Sequence, residues 1–133
     1  MTPGGTGQVE VSIRNDADVI LARKEARDLA RALGFGMLDQ TRVVTAVSEL
    51  ARNVVVHAGQ GTVFISGLEG KGLRVVFRDK GPGIPDIEEA MREGYSTVDS
   101  LGLGLSGARK LVDSLEVDSR PGEGTTVTLE KRL

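Results

Sequence analysis

The order in which strand-like and helix-like hydrophobic patterns follow one another is the feature that most limits the fold of this chain. Apolar and polar residues alternate over 9–13, which predicts a short half-buried strand. Apolar residues at helical spacing then predict a first helix capped by Asn15 or Asp16, and a second helix that is capped by Asp39 and runs to about His57. Two helices therefore separate the first strand from the others.

The rest of the chain predicts two hairpins around further helices. Glycine-containing turns at 69–72 and 121–124 each separate two stretches rich in apolar and β-branched residues. The predicted elements are strands over 63–65 and 73–77, a glycine and proline loop over 81–85, a short helix over 87–91, a mobile loop over 94–101, a helix over 105–115, and strands over 115–119 and 125–130. This order predicts an α+β fold, a two-layer α/β sandwich with helices on one face of a mostly antiparallel sheet.

The composition argues against several classes of function. The 133 residues carry a net charge of -2, whereas duplex-binding proteins usually have a basic excess, and aromatic residues at 3% leave no stacking platform for single strands. The absence of cysteine excludes disulfides and thiolate metal sites. The sequence has no signal pattern and no apolar run of the about 20 residues that a membrane span needs. We expect one cytoplasmic domain over 1–133, flexible over 1–7, that binds neither nucleic acid nor membranes.

A carboxylate and an amide lie one turn apart in the second predicted helix, at Glu49 and Asn53. Side chains at positions i and i+4 project from the same face of a helix. Such a pair can hold a metal ion and a hydroxyl between them, although a solvated surface pair is the more frequent explanation of this spacing. The pair alone leaves both interpretations open.

Asp79 closes a predicted strand and opens the loop that contains Gly81 and Gly83. A carboxylate at this position can accept a hydrogen bond from an exocyclic amine, and glycines let a flat ring approach the backbone closely. An ordinary turn aspartate is the alternative, because aspartate and glycine are common in turns.

The glycines at 102, 104 and 107 form a G-x-G-x-x-G pattern, but its context is not that of a dinucleotide-binding fold. That fingerprint requires a strand immediately before it, and residues 95–100 have no strand pattern. We expect the glycines to lie at the start of the helix over 105–115, where exposed backbone N–H groups and the positive end of the helix favour phosphate.

Two further features are weaker signals. Gly124 precedes Thr125 and Thr126, and a hairpin turn that enters a β-branched strand explains them without any ligand. A threonine hydroxyl would reach a phosphate only if the fold brings it there. His57 is the only histidine; it lies near a predicted helix end, and we expect a structural or exposed residue rather than a phosphoacceptor or a general base.

Taken in order, the motifs resemble the N, G1, G2 and G3 boxes of the Bergerat-fold (GHKL) ATPases, which include gyrase B and the histidine kinases. They are Glu49-x-x-x-Asn53, Asp79-x-Gly81-x-Gly83, Gly102-x-Gly104-x-x-Gly107 and Gly124-Thr125. The resemblance covers nearly the whole chain. It implies a sheet backed by helices, with ATP between them under a flexible lid.

The resemblance also implies roles for single residues. Asn53 would coordinate Mg²⁺, and Asp79 would bind the adenine amine. The remaining nucleotide contacts would come from the adenine-pocket glycines Gly81 and Gly83, the phosphate-binding glycines Gly102, Gly104 and Gly107, and the hydroxyl of Thr125 or Thr126.

Within this superfamily, the chain resembles the small RsbT-type serine/threonine kinases of bacterial stress signalling. The matching stretches are 45–53, 79–86 and 93–97. The resemblance implies that Glu49 is the catalytic base for phosphorylation of a STAS-domain partner. It further implies that the released kinase binds and activates a PP2C-type phosphatase.

The resemblance is incomplete at one position and leaves alternatives open. Related anti-sigma kinases carry an arginine just before the lid glycines, where this chain has 99–101. The cation for the γ-phosphate is therefore unassigned, and Arg92, Arg109 and Lys110 are the candidates. An anti-sigma-type module that holds a sigma factor or a phosphatase and uses ATP mainly as a switch is the main alternative. A detached histidine-kinase catalytic domain is less favoured, because no dimerising phosphoacceptor helix is present.

Overall fold

A computed structural model describes residues 8–69, 71–81 and 101–133, with the side chains of 101–104 excepted. The predicted short helix over 87–91 lies outside these residues, as do residues 1–7, Gly83, Arg92 and nearly all of the predicted lid loop. No helix in the described part of the chain is long and apolar enough to cross a membrane.

Five antiparallel strands form one sheet in the order β1-β2-β3-β5-β4. The strands are β1 (Val9–Ile13), β2 (Gly61–Gly67), β3 (Gly72–Asp79), β4 (Ser114–Arg120) and β5 (Gly124–Arg132). Both predicted hairpins are present, and each strand extends slightly beyond its hydrophobic stretch because the ladder continues into glycine and polar positions.

The helices pack on one face of this sheet, so the predicted two-layer α+β sandwich is confirmed. They are α1 (Asp16–Ala32), α2 (Met37–Asn53), a π-helical turn (Val54–Ala58) and α3 (Leu101–Arg109). Alternate strand residues are fully buried in a single core together with the apolar sides of the helices; examples are Val63, Val75 and Leu129. Because side chains alternate between the faces of a sheet, the intervening residues line a second face, and no described helix covers that outer face.

One of the two predicted helix caps is correct. Asn15 caps α1, and its side chain accepts a hydrogen bond from the Asp18 backbone N–H at 3.0 Å. The prediction for α2 was wrong, because the helix begins at Met37 after Gly36 and places Asp39 in its first turn. Gly36 has extended backbone and no side chain to mark it as a cap, whereas aspartate is favourable both as a cap and in the first turn.

The C-terminal end of α2 widens into the π-helical turn, which the sequence pattern did not predict. Gly59, with a φ of +84°, ends this turn in a conformation that favours glycine. π-Helical turns are rare and frequently occur at functional sites.

The predicted limits of the last helix were also wrong. α3 begins at Leu101 and ends at Arg109, so Gly102 and Gly104 lie inside the helix, together with Gly107, rather than before it. Each glycine disfavours a helix by about 1 kcal/mol relative to alanine. Burial of Leu105 and Ala108 in the core, where α3 packs against α2, offsets this propensity.

Candidate functional site

The end of β3 places the Asp79 side chain on the face of the sheet that the helices cover. Asp79 is paired with Gly61 on β2 and with Thr125 on β5, and it follows the buried Phe77 by two positions on the strand. Its Oδ1 accepts a hydrogen bond from the backbone N–H of Gly81 at 2.9 Å. The second carboxylate oxygen accepts no such bond from the described residues, and it remains available to a donor from a ligand.

The π-helical turn touches this strand end directly. A Cβ built on Gly81 would lie 2.6 Å from the Cβ of Ala58, and one built on Gly61 would lie 2.7 Å from a methyl group of Val54. Both distances are too short for real Cβ contacts, so only glycine lets the turn approach β2 and the Asp79 loop so closely. The C-terminal end of α2 therefore meets the end of β3.

Asn53 ends α2 beside this junction, and its environment is incomplete. Asn53 is half-buried, and its amide Nδ2 is buried without a hydrogen-bond partner among the described residues. Buried polar groups are nearly always paired, so an orphaned one indicates a missing ligand or water. The oxygen and nitrogen of a side-chain amide are assigned rather than observed. The buried position of Asn53 can therefore present either the NH₂ donor or the acceptor oxygen.

Glu49 lies one turn before Asn53 on the same face of α2, and the solvent reaches it. The structure therefore brings the predicted carboxylate and amide to one side of the helix, with the carboxylate outermost. An exposed carboxylate next to a partly enclosed amide allows a large hydroxyl-bearing partner to approach from the solvent.

Nε2 of His57 is, after Nδ2 of Asn53, the second buried side-chain atom that has no hydrogen-bond partner among the described residues. It follows Asn53 by one further turn and lies in the π-helical turn. The sequence predicted a structural or exposed residue at this position, and the unpartnered Nε2 adds a candidate ligand contact without testing that prediction. The spacing of Glu49, Asn53 and His57, each four residues apart, is the sequence signal that could have joined it to the site.

The two threonines of the last motif lie on opposite faces of the sheet. Thr125 is paired with Asp79 and shares its face, whereas Thr126 is paired with Arg78 on the outer face. The Thr125 hydroxyl also lies 2.8 Å from Oγ of Ser119, so a second hydroxyl accompanies it. Only Thr125 shares a face with Asp79, and sequence alone did not separate the two.

Gly124 brings β5 close to the Asp79 loop. It has a φ of +104°, and a Cβ at this position would collide with the Asp79 carbonyl oxygen and lie 2.8 Å from the Lys80 Cα. Both the backbone conformation and the space therefore require glycine here.

The glycines of α3 are less constrained in the described structure. Gly107 is exposed, and a Cβ on it would meet no atom within 4 Å, so packing does not require a glycine there. Arg109 and Lys110 are exposed at the end of the same helix. A phosphate role for Gly102, Gly104 or Gly107 remains a prediction.

The donor set fits a nucleotide-bound Mg²⁺ better than a metal held by the protein alone. In the described residues, no three His, Cys, Asp or Glu side chains are grouped closely enough to hold a metal ion. Mg²⁺ is usually held by one or two protein oxygens together with substrate phosphates and water. An Asn53 oxygen at the orphaned amide position meets that requirement.

Comparison with known families agrees with this arrangement. Residues 38–133 match the family described as histidine kinase-, DNA gyrase B-, and HSP90-like ATPases. The chain is 44% identical over 126 residues to the serine/threonine-protein kinase RsbT of Bacillus subtilis (strain 168), covering 92% of this chain and 95% of that protein. The chain belongs to this ATPase family, among its RsbT-type protein kinases.

Other relatives support the family and the fold. An anti-sigma F factor of Bacillus licheniformis is 38% identical over 105 residues, which is 73% of this chain and 72% of that protein. The crystal structure of the RsbU and RsbW domains of a Mycobacterium tuberculosis protein superposes with a TM-score of 0.69 at 21% identity, covering 96% of this chain and 33% of that one. The sheet and helix scaffold of this RsbT-type chain is thus shared with these relatives.

Proposed function

We propose that the protein phosphorylates a serine or threonine of a STAS-domain partner, with 1–133 acting as one ATP-binding kinase domain. The orphaned Asn53 amide, next to the contact between Ala58 and Gly81, is the observation that carries the proposal. It joins the predicted metal-binding end of α2 to the predicted adenine-binding end of β3.

Asp79 is the proposed adenine ligand. Its Oδ1 is oriented by the Gly81 N–H at 2.9 Å, which leaves the other oxygen to accept from the adenine amine. Gly81 and Gly83 would then border the ring, and Thr125 would lie on the same side of the sheet. Among the two threonines, we assign the nucleotide contact to Thr125 because Thr126 occupies the outer face.

Asn53 is the proposed protein ligand of Mg²⁺, and His57 would donate a hydrogen bond to the nucleotide or to a water bound with it. Bound Mg²⁺ would neutralise charge on the phosphates during transfer. The glycines of α3 would let backbone N–H groups approach the phosphates.

Glu49 is the proposed catalytic base. Its exposed carboxylate would orient the acceptor hydroxyl and take its proton while the hydroxyl oxygen bonds to the γ-phosphorus and the bond to the β-phosphate oxygen breaks. Phosphoryl transfer depends mainly on positioning and electrostatics, so this small set of side chains is sufficient. ADP is the leaving group.

The similarity to RsbT supports the partners that we propose. The substrate is a STAS-domain scaffold in bacterial stress signalling, and the released kinase binds and activates a PP2C-type phosphatase. The protein would carry out both roles in the cytoplasm.

A binding switch is the second candidate, and the similarity to anti-sigma F factors favours it. In this function the protein would hold a sigma factor or a phosphatase, and ATP would mainly regulate the complex. It predicts a stoichiometric complex in the presence of ATP, with little phosphate transferred.

The two functions can be separated with purified proteins. The chain is mixed with Mg²⁺, γ-labelled ATP and a STAS-domain protein from the same genome, and the label is followed through acid and base treatment. We expect acid-stable label on serine or threonine of the partner. Acid-labile label would indicate a histidine kinase, and complex formation without label would favour the switch.

A further inference from the structure

The outer face of the sheet contains a basic groove that none of the roles above uses. Its volume is about 370 Å³, and it lies across the ends of β1, β2 and β3. The lining residues are Ser12, Arg14, Gln60, Gly61, Thr62, Arg78, Asp79 and Lys80. The groove therefore reaches the strand end that carries the Asp79 side chain on its opposite face.

Three cations border this groove, and two of them have no charged partner among the residues that the structure describes. Arg14 forms an ion pair with Asp18 at 3.2 Å. Neither Arg78 nor Lys80 forms an ion pair in the described part of the chain, and both are exposed. The Arg78 guanidinium lies over the Phe64 ring, 5.3 Å from its centre, which holds it on the outer face.

Acidic residues of the same face line a neighbouring groove, which Arg78 and Lys80 also border and which contains Asp118 and Glu123. Asp118 is two strands away from Arg78, with Thr126 of β5 between them, which corresponds to about 10 Å. The lining of the groove itself contains three cations and one acidic residue, Asp79, whose side chain lies on the opposite face. The groove is therefore a local basic patch on a chain whose net charge is -2. A patch of this kind attracts an acidic partner in preference to other copies of the same chain.

The spacing of these groups matches an extended peptide. Arg78 is the penultimate residue of β3, and Lys80 is the first residue after the strand. Residues two positions apart in an extended chain are separated by roughly 7 Å, and the same spacing holds for alternate side chains of an extended acidic segment. Ser12, Gln60 and Thr62 supply a hydroxyl and amide floor that can hydrogen-bond to a peptide backbone.

We infer that this groove docks an extended acidic segment of a partner protein, with carboxylates at alternate positions paired to Arg78 and Lys80. Arg14 lies across the groove and contacts the far side of the segment. The groove lies at the end of β3 that carries the proposed adenine ligand Asp79, but on the opposite face of the sheet. A docked segment would therefore lie next to the nucleotide site without entering it. The inference does not depend on phosphoryl transfer.

The test measures binding of labelled synthetic peptides by fluorescence anisotropy at low and at physiological salt. One peptide alternates glutamate with serine, and a second has the same composition with its glutamates in one block. We expect the alternating peptide to bind more tightly, and we expect Arg78→Glu with Lys80→Glu to weaken it by about tenfold or more. Lys80→Glu alone tests the groove without loss of the Arg78 contact to Phe64.

Arg23→Glu with Arg31→Glu is the matched control, because both arginines are exposed on α1, outside the groove, and the charge change is the same. We expect this pair to change the peptide affinity less than about twofold. Equal losses of affinity in the two double variants would overturn the inference. It would also be overturned if the two peptides bound equally well, or if single-stranded DNA of the same charge bound as tightly as the alternating peptide. Absence of peptide binding at low salt would overturn it as well. ATP affinity measured on each variant separates this result from failure of the proposed kinase site.

Discussion

Replacement of Asp79 by asparagine tests the proposed adenine contact with little damage to the fold. The asparagine Oδ1 can still accept the 2.9 Å hydrogen bond from the Gly81 N–H, so the loop should keep its conformation. The other position of the side chain changes from a carboxylate oxygen to an NH₂ group. That donor would face the donor amine of adenine, and neither would be satisfied.

The expected loss of affinity follows from the hydrogen bond that is removed. A hydrogen bond to a charged group contributes about 1.5–3 kcal/mol, and an unsatisfied partner adds to the cost. A loss of about 2–3 kcal/mol corresponds to a dissociation constant for Mg-ATP about 30- to 150-fold higher. Isothermal titration calorimetry with a non-hydrolysable ATP analogue measures this change, and thermal unfolding of the free protein confirms the fold.

Asp118→Asn is the control for this experiment, because it makes the same chemical change on the outer face of the sheet. We expect it to leave ATP affinity within about twofold of the original value. Unchanged affinity in Asp79→Asn would refute the adenine assignment. An equal loss of ATP affinity in Asp118→Asn would contradict binding of the nucleotide on the face of the sheet that the helices cover.

The remaining predictions concern the rest of the site and one surface ion pair. Asn53→Ala should weaken ATP binding in the presence of Mg²⁺ more than in its absence, because only the metal-bound nucleotide loses a ligand; equal losses in calorimetry would contradict a metal role. Gly81→Ala should lower both the melting temperature and the ATP affinity, since the added methyl would lie 2.6 Å from the Ala58 Cβ, and unchanged values would show that the turn can move away. The Arg42 hydrogen bond holds the pKa of Asp39 below its usual 3.8, so Arg42→Gln should destabilise the protein near neutral pH. That difference should disappear as the pH falls through the folded-state pKa of Asp39, because the ion pair stabilises the fold only while the carboxylate is ionised; a difference in melting temperature that persists at lower pH would contradict this cause.

Periodicity and turn chemistry predicted the architecture because both signals are local. The hairpin turn before Gly72 and the Asn15 cap are determined by neighbouring residues, and the structure contains both. The π-helical turn depends instead on close packing of Ala58 against Gly81, which is 23 residues further along the chain, and of Val54 against Gly61 across the Gly59 turn. No local pattern signals contacts of that kind.

The sequence motifs named candidate site residues but not the faces of the sheet on which they lie. Sequence motifs named Asp79, Thr125 and Thr126, and only the strand register separates the two threonines onto different faces. The start of α3 was missed because glycines normally favour a loop, whereas burial of Leu105 and Ala108 keeps them helical. His57 was not assigned to the site because a single histidine near a helix end is a weak signal, even though it continues the four-residue spacing of Glu49 and Asn53.

Phosphate transfer by a Glu49→Gln variant tests the central claim most directly. Glutamine keeps the size of the side chain but cannot take the proton of the acceptor hydroxyl. Transfer from γ-labelled ATP to a STAS-domain partner and ATP affinity are measured on the same preparation. We predict a loss of transfer of about 100-fold or more, with ATP affinity within about twofold of the original value. Transfer at the original rate would contradict a catalytic role for Glu49 and the kinase mechanism built on it.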